Sequence, residues 1–195
     1  MRLYITVCFV ILAIFIGACT KTPDAPAVPS PMTAEYLLEH TYISRNDKLG
    51  LTKLQSLPYR QPIYDKESNE TITSILVADI YDRESRGTKK YANGISCYLW
   101  VVYSADKWGE FDTALPLLGN PLKVSVHSSR IRKGVFFQEI SIDLSLKTMR
   151  QSRDTGLSFI VMGKSSTIAL DVPPLYVQTF LDSLDKIVQK ETSKK

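Results

Sequence analysis

Histidine is scarce in this chain, which contains only two in 195 residues, His40 and His127. Neither lies in a His-Glu-x-x-His motif, and neither is accompanied by cysteines at the spacing of a zinc site. A phosphate-binding loop is also absent, because Ser158 stands where the glycine that must precede Gly163-Lys164-Ser165 would be. The sequence therefore predicts no metal, no cofactor and no catalytic residue.

A strong charge of one sign is lacking as well. The 24 basic and 20 acidic residues leave a formal net charge of +4, which argues against a nucleic-acid partner. The densest basic cluster is Arg130, Arg132 and Lys133, just before Gly134. This cluster is a candidate contact for anionic lipid head groups, lipopolysaccharide or the acidic groups of a cell-wall polymer. The alternative is a hairpin decorated with solvating charge.

Only one long apolar run occurs, Leu3–Ala18, and at about 16 residues it is shorter than the roughly 20 that a spanning helix requires. Arg2 precedes it and small residues end it, as in a cleaved signal peptide. The tetrad Ile16-Gly17-Ala18-Cys19 resembles the lipobox of bacterial lipoproteins. The resemblance covers only this segment and implies that Cys19 is acylated and becomes the first mature residue. An ordinary signal peptide or an uncleaved anchor is the alternative.

The resemblance implies a signal peptide at residues 1–18 and a lipidated cysteine at its end. The proline-rich composition predicts a tether over 19–32, and the size of the remaining segment predicts a single globular domain at 33–195. Four prolines in the tether favour extended polyproline II, which at roughly 3.1 Å per residue spans up to about 40 Å. In lipoproteins of Gram-negative bacteria, Asp after the cysteine is associated with retention at the inner membrane. Thr20 occupies that position here and implies the outer membrane, with the domain facing the periplasm.

Cysteine is the third scarce residue. Of the three cysteines, Cys8 lies in the predicted signal and Cys19 carries the predicted lipid, so only Cys97 remains. No intramolecular disulfide is then available. Cys97 lies in the strand-like run Ile95–Tyr103, which is apolar on both faces. We therefore expect a buried and inert thiol in a central strand.

The remaining pattern is that of a mainly β or α+β domain. Alternating apolar and polar residues at turn-separated spacing predict an antiparallel sheet or β-sandwich. A short helix is predicted at its start, over Thr33–Ile43. The predicted strands include Thr71–Tyr81, Ile95–Tyr103, two strands around residues 122–126 and 140–144, and a final hairpin made of Leu157–Met162 and Thr167–Val172.

The end of the chain changes to a helical period. Pro173 and Pro174 suit the first turn of a helix, and apolar residues then recur on one face. These are Val177, Phe180, Leu181, Leu184, Ile187 and Val188. We expect this amphipathic helix to pack on the sheet. The alternative is a helix that lies on a membrane, although acidic residues make its polar face mixed rather than basic.

Together these features predict an envelope lipoprotein that is not an enzyme and acts as a binding or structural module. The expected partners are the membrane, through the lipid on Cys19, and an envelope protein or polymer. One alternative is a periplasmic hydrolase that uses carboxylates, since carboxylate pairing is spatial and invisible in sequence. Another is a carrier of lipid or of a small apolar ligand, whose cavity could involve Trp100, Trp108, Phe136 and Phe137. Aromatic residues in strands are more often part of the core.

Overall fold

The structure is a computed structural model that describes residues 32–62, 69–81, 94–117 and 119–192. The predicted signal peptide, Cys19 and almost all of the tether lie outside these residues. No helix in the described part of the chain is long and apolar enough to cross a membrane.

The described residues form ten strands and three helices. The strands are β1 Tyr42–Asn46, β2 Leu51–Gln55, β3 Tyr59–Arg60, β4 Thr71–Tyr81, β5 Ile95–Ala105, β6 Phe111–Pro116, β7 Leu122–Arg132, β8 Val135–Leu144, β9 Leu157–Gly163 and β10 Thr167–Val172. The helices are α1 Ala34–Glu39, α2 Leu146–Gln151 and α3 Pro174–Thr192.

All ten strands belong to one sheet in the order β1-β2-β4-β5-β8-β7-β6-β9-β10, with β3 paired to β4 beside β2. Every pairing in the described chain is antiparallel. The predicted fold class is therefore confirmed: a mainly β domain with a short N-terminal helix and a C-terminal helix packed on an antiparallel sheet. Of the two predicted arrangements, the single sheet is the one found.

One side chain links the segment after β3 to β10, the last strand of this order. Gln61 follows β3, and its Nε2 donates a hydrogen bond of 2.9 Å to the carbonyl oxygen of Ala169. Its Oε1 accepts a second bond of 2.9 Å from the backbone N–H of Asp171. Both partners lie on β10, so the side-chain amide takes the place of a neighbouring strand's peptide group. The sheet is therefore curved around its core, with β10 beside the segment after β3.

The core lies on the inner face of the sheet, where α3 covers it. Along β5, alternate residues are buried, from Leu99 at 0% exposure to Tyr103 at 1%. On α3, Phe180 and Leu184 are each 1% exposed and belong to the same apolar cluster as the strands. Each such side chain contributes roughly 1.5–3 kcal/mol by leaving water. The prediction that α3 packs on the sheet is confirmed.

The N-terminal helix is shorter than the predicted Thr33–Ile43. Thr33 caps it, with Oγ1 accepting a bond of 3.2 Å from the N–H of Tyr36. The helix ends at Glu39, and Ile43 lies in β1. Ile43 is β-branched, and β1 pairs with β2. Both features favour an extended chain here, because pairing satisfies the backbone N–H and C=O groups that a longer helix would bond internally.

Cys97 lies on the inner face of β5 and is 4% exposed, as predicted for an inert thiol. Burial, with a smaller contribution from the charge of Asp79, raises the pKa of this thiol to about 11. At neutral pH the thiolate is therefore strongly disfavoured, and the thiol behaves as a small apolar group of the core.

Candidate functional site

A polar groove crosses the outer face of the sheet, opposite the core. Its volume is about 280 Å³, close to the lower limit of roughly 300 Å³ for small-ligand pockets. We call it the outer groove. Its lining comes from strands β4, β5, β8 and β7, which are consecutive in the sheet. The lining residues are Asp79, Ser96, Tyr98, Trp100, Ser125, His127, Ser141 and Asp143.

The strand register explains why these side chains meet. Directly paired residues point to the same face, and the pairs Asp79 with Ser96 and Tyr98 with Asp143 both line the groove. Trp100 pairs with Ser141, which pairs in turn with Ser125. The groove is therefore a direct product of the antiparallel register, and a slip of one residue would turn these side chains toward the core.

A charged pair closes one end of the outer groove. The Lys53 ammonium lies 3.5 Å from Asp79 Oδ1, and Lys53 Nζ donates a hydrogen bond of 3.3 Å to Tyr98 Oη. Asp79 Oδ1 is buried and has no hydrogen bond of its own, so the long ion pair is its compensation. Burial lowers the pKa of Lys53, but the bond to Tyr98 and the charge of Asp79 outweigh it and raise that pKa overall. Lys53 is therefore a fixed cation at neutral pH.

Tyr98 stays protonated for a related reason. Burial raises the pKa of its hydroxyl, and the negative charge of Asp79 adds to this effect, while Lys53 opposes it. The hydroxyl accepts from Lys53 and keeps its own proton for a further acceptor. Tyr98 thus presents a neutral polar edge and an aromatic ring to the groove.

An aromatic stack forms the other end. The rings of Trp100 and His127 lie 4.4 Å apart between centroids, at an interplanar angle of 27°. His127 Nε2 lies 2.8 Å from Ser141 Oγ in a hydrogen bond. Ser141 is buried at 6% exposure, whereas His127 is exposed. The serine therefore holds the imidazole in place over the indole ring.

This serine–histidine pair lacks the rest of an acyl-transfer site. A nucleophilic serine is normally served by a histidine that a carboxylate orients, together with donors for an oxyanion. Within the described residues, no carboxylate forms a hydrogen bond with His127. Ser141 is also covered rather than presented to a substrate.

The predicted basic cluster lies elsewhere, at the end of the β7–β8 hairpin. Arg132 pairs with Val135, and the turn between them consists of Lys133 at φ 51° and Gly134 at φ 79°. Two successive positive φ angles are those of a type I′ turn, the tight connection that matches the twist of paired strands. We call residues Arg130–Phe137 the hairpin tip.

The three cations of the hairpin tip differ in their surroundings. Arg130 lies 3.3 Å from Glu139 Oε1, and its guanidinium lies 5.8 Å from the ring centroid of Phe137. Arg132 and Lys133 are exposed and form no ion pair among the described residues. The structure therefore brings the three residues together, but only Arg132 and Lys133 carry uncompensated charge.

The four aromatic residues considered as a possible cavity do not share one. Trp100 lines the polar outer groove, and Trp108 contacts Phe136 edge to face at 4.8 Å between centroids. Phe137 lies beneath Arg130. Phe136 and Phe137 are consecutive residues of β8 and point to opposite faces of the sheet, so the four rings do not line one cavity.

The outer groove was missed from sequence, although signals for it exist. Asp79 is the only charged residue of β4, and Asp143 is one of two charged residues of β8, together with Glu139. No group of three or more His, Cys, Asp or Glu side chains in the described residues could hold a metal ion. No family model, curated protein or solved structure matches this chain.

Proposed function

We propose that this chain is a lipid-anchored binding module of the bacterial envelope, and that its hairpin tip contacts an anionic envelope polymer. The observation that carries the contact is the pair Arg132 and Lys133, exposed and without ion pairs in the described chain, at a tight two-residue turn. The anchor rests on the lipobox-like segment that ends at Cys19.

A rigid hairpin suits this task. The turn fixes the backbone of both cations at the extreme of a paired ribbon, so little backbone freedom is lost on contact. Exposed cations attract polyanions over a distance that salt shortens. A lipid anchor raises the effective concentration of the module near its polymer, so that a weak contact becomes sufficient.

The anchor is tested by metabolic labelling with a radioactive fatty acid. We expect label on the unmodified chain and none on Cys19→Ala, which should also leave the membrane fraction. Two acyl chains are needed for stable anchoring. Unlabelled wild-type protein would contradict the lipoprotein assignment, whatever the hairpin tip binds.

The contact is tested with immobilised dextran sulfate, a polyanion, and with neutral dextran as a reference surface. The double variant Arg132→Gln, Lys133→Gln should bind roughly 10- to 30-fold more weakly at low salt, since each cation near an anionic surface contributes about 1 kcal/mol. The matched control is Lys186→Gln, Lys190→Gln, which removes two exposed charges from α3. Equal losses in both double variants would show that net charge acts and the hairpin tip does not.

The alternatives gain no comparable support. Asp79 and Asp143 are two strands apart and offset by two residues in register, which separates their backbones by roughly 11 Å. Asp79 is also ion-paired with Lys53, so the structure does not present these two carboxylates as the acid and base of a glycosidase. A carrier of apolar ligands would need an apolar cavity, and the outer groove is lined mainly by polar side chains.

A further inference from the structure

The outer groove is more specific than a solvated sheet face. The exposed side of an antiparallel sheet needs only scattered polar residues to stay in water. Here one face carries a half-buried tryptophan stacked on an imidazole, a tyrosine held by a lysine, and a carboxylate oxygen that is buried without a hydrogen bond. Burying polar groups is unfavourable unless they are compensated. Their concentration in one concave surface points to a ligand.

The charges of the groove indicate what kind of ligand this is. Asp79 is compensated by Lys53 at 3.5 Å, so this end of the groove is close to neutral. Asp143 is exposed and has no ion pair among the described residues. An anionic ligand is therefore disfavoured, and one carboxylate is available to accept hydrogen bonds from it.

The other residues that line the groove provide two kinds of contact, hydrogen bonds and aromatic packing. Ser96, Ser125 and the Tyr98 hydroxyl can each donate and accept hydrogen bonds. Trp100 and Tyr98 add aromatic surface, which packs well against flat apolar groups. A sugar ring has both matching features, because its C–H groups form apolar faces and its hydroxyls form a polar rim. A groove of about 280 Å³ accommodates a small ligand or a short segment of a chain.

We propose that the outer groove binds the sugar units of a neutral glycan, with Asp143 accepting hydroxyl hydrogen bonds and the Trp100 and Tyr98 rings contacting the sugar faces. This site is separate from the hairpin tip and does not depend on the contact proposed there. It adds a second recognition surface to the module, one that uses stacking and hydrogen bonds rather than net charge.

The test uses the full chain in detergent micelles and two neutral probes, linear oligomers of glucose and of N-acetylglucosamine. The chain has two tryptophans, so Trp108→Phe leaves Trp100 as the only indole reporter. We expect saturable changes in its fluorescence with at least one probe. Affinity should change little between low and high salt, because no net charge is neutralised on binding.

The variant Asp143→Asn is the decisive substitution. It keeps the size of an exposed side chain and should lower probe affinity roughly tenfold, the effect of weakening hydrogen bonds to a charged acceptor. The control Asp112→Asn removes an exposed carboxylate from β6, outside the groove, and should leave affinity unchanged. Trp100→Phe removes the indole reporter, so its binding is measured by isothermal titration calorimetry. It retains an aromatic ring and should bind more weakly than the wild type in the same assay, while the circular dichroism spectrum stays the same.

Two results would overturn the proposal. The first is an absence of saturable binding for both oligomers. The second is strong binding of spermidine, a polyamine, with no sugar response, which would assign the groove to cations. The hairpin variant Arg132→Gln, Lys133→Gln should bind the oligomers like the wild type. Failure of the groove and failure of the hairpin contact are therefore distinguishable.

Discussion

The two faces of strand β5 serve different purposes in one stretch of eleven residues. On the inner face, Cys97, Leu99 and Val101 are between 0% and 4% exposed and belong to the apolar cluster that also contains residues of α3. On the outer face, Tyr98 and Trp100 are half-buried and line a polar groove. Both faces hold large side chains, but only the inner one excludes water. Apolar composition on both faces thus marks a central strand without showing that both faces are core.

The contacts that hold the side chains in place also differ between the two faces. Behind the inner face, contacts are apolar and collective, so that losing one side chain leaves a cavity. On the outer face, contacts are individual hydrogen bonds and ring stacks between named pairs. Substitutions on the inner face should therefore change stability, and those on the outer face should change binding.

The largest expected effect is on the inner side, at α3. Leu184→Ala should lower the free energy of unfolding by roughly 2–5 kcal/mol, the range for truncating a buried leucine, because Leu184 is 1% exposed within the core cluster. Denaturant titration followed by circular dichroism measures this loss. An unchanged midpoint would mean that the apolar stripe of α3 does not close the core.

The control for this prediction lies on the same helix. Asp182 forms an ion pair of 2.7 Å with Arg153, and both side chains are about two-fifths exposed (42% and 43%). Exposed pairs contribute about 0–1 kcal/mol. Asp182→Asn should therefore cost less than about 1 kcal/mol. A loss as large as that of Leu184→Ala would remove the distinction between the two sides of the helix.

The second prediction concerns the alkaline stability of the core. The pKa of the Cys97 thiol is about 11 in the folded chain against 9.0 ordinarily. Between these two values the unfolded chain loses the thiol proton while the folded chain keeps it, so the free energy of unfolding falls as pH rises. The loss by pH 11 is roughly 2 kcal/mol. It is absent below about pH 8.

Cys97→Ala isolates this contribution. The variant should show a smaller decrease of unfolding free energy between pH 8 and pH 11 than the wild type, in parallel denaturant titrations. Part of the decrease should remain, because the pKa values of Tyr98 and Lys53 are also raised. In the native wild type, a thiol reagent should label Cys97 slowly at pH 8. Identical pH profiles with rapid labelling would show that the thiol is exposed.

How far the sequence predicts this fold depends on element length. The run Thr71–Tyr81 and the hairpin made of Leu157–Met162 and Thr167–Val172 were predicted nearly to the residue, because alternation over six or more residues defines a strand. Five elements of six residues or fewer were missed: β1, β2, β3, β6 and helix α2. Unlike β10, which also has six residues, β6 does not alternate strictly between buried and exposed positions. Elements this short carry too few periods, and their pairing partners decide their conformation.

The two candidate sites also differ in how well the sequence predicts them. Arg130, Arg132 and Lys133 are close in sequence, so their cluster was visible before the hairpin was known. The outer groove combines residues from four strands that are up to 64 positions apart, from Asp79 to Asp143. Only the strand order and register bring them together. A single carboxylate in a strand, such as Asp79, is a weak signal by itself, and a spatial site of this kind requires the structure.

The smallest expected effect lies where the sheet curves to enclose its inner face. Gln61 makes two bonds of 2.9 Å to β10, and each is expected to contribute about 0.5–1.5 kcal/mol. Gln61→Ala should lower the free energy of unfolding by about 1–2 kcal/mol, toward the lower value because water reaches these backbone groups. The control Gln178→Ala removes one longer bond of 3.4 Å to Asp154 and should cost less than about 0.5 kcal/mol.

Hydrogen exchange distinguishes a local bridge from a general loss of stability. The backbone N–H of Asp171 donates to Gln61 Oε1, so its exchange should accelerate in Gln61→Ala more than that of other edge amides. Gln61→Glu tests the same geometry from the other side: a carboxylate still accepts from Asp171 but has no N–H to donate to Ala169. Its Asp171 amide should remain protected while stability falls. If the Asp171 amide exchanges at the wild-type rate in Gln61→Ala, other contacts hold β10 beside the segment after β3.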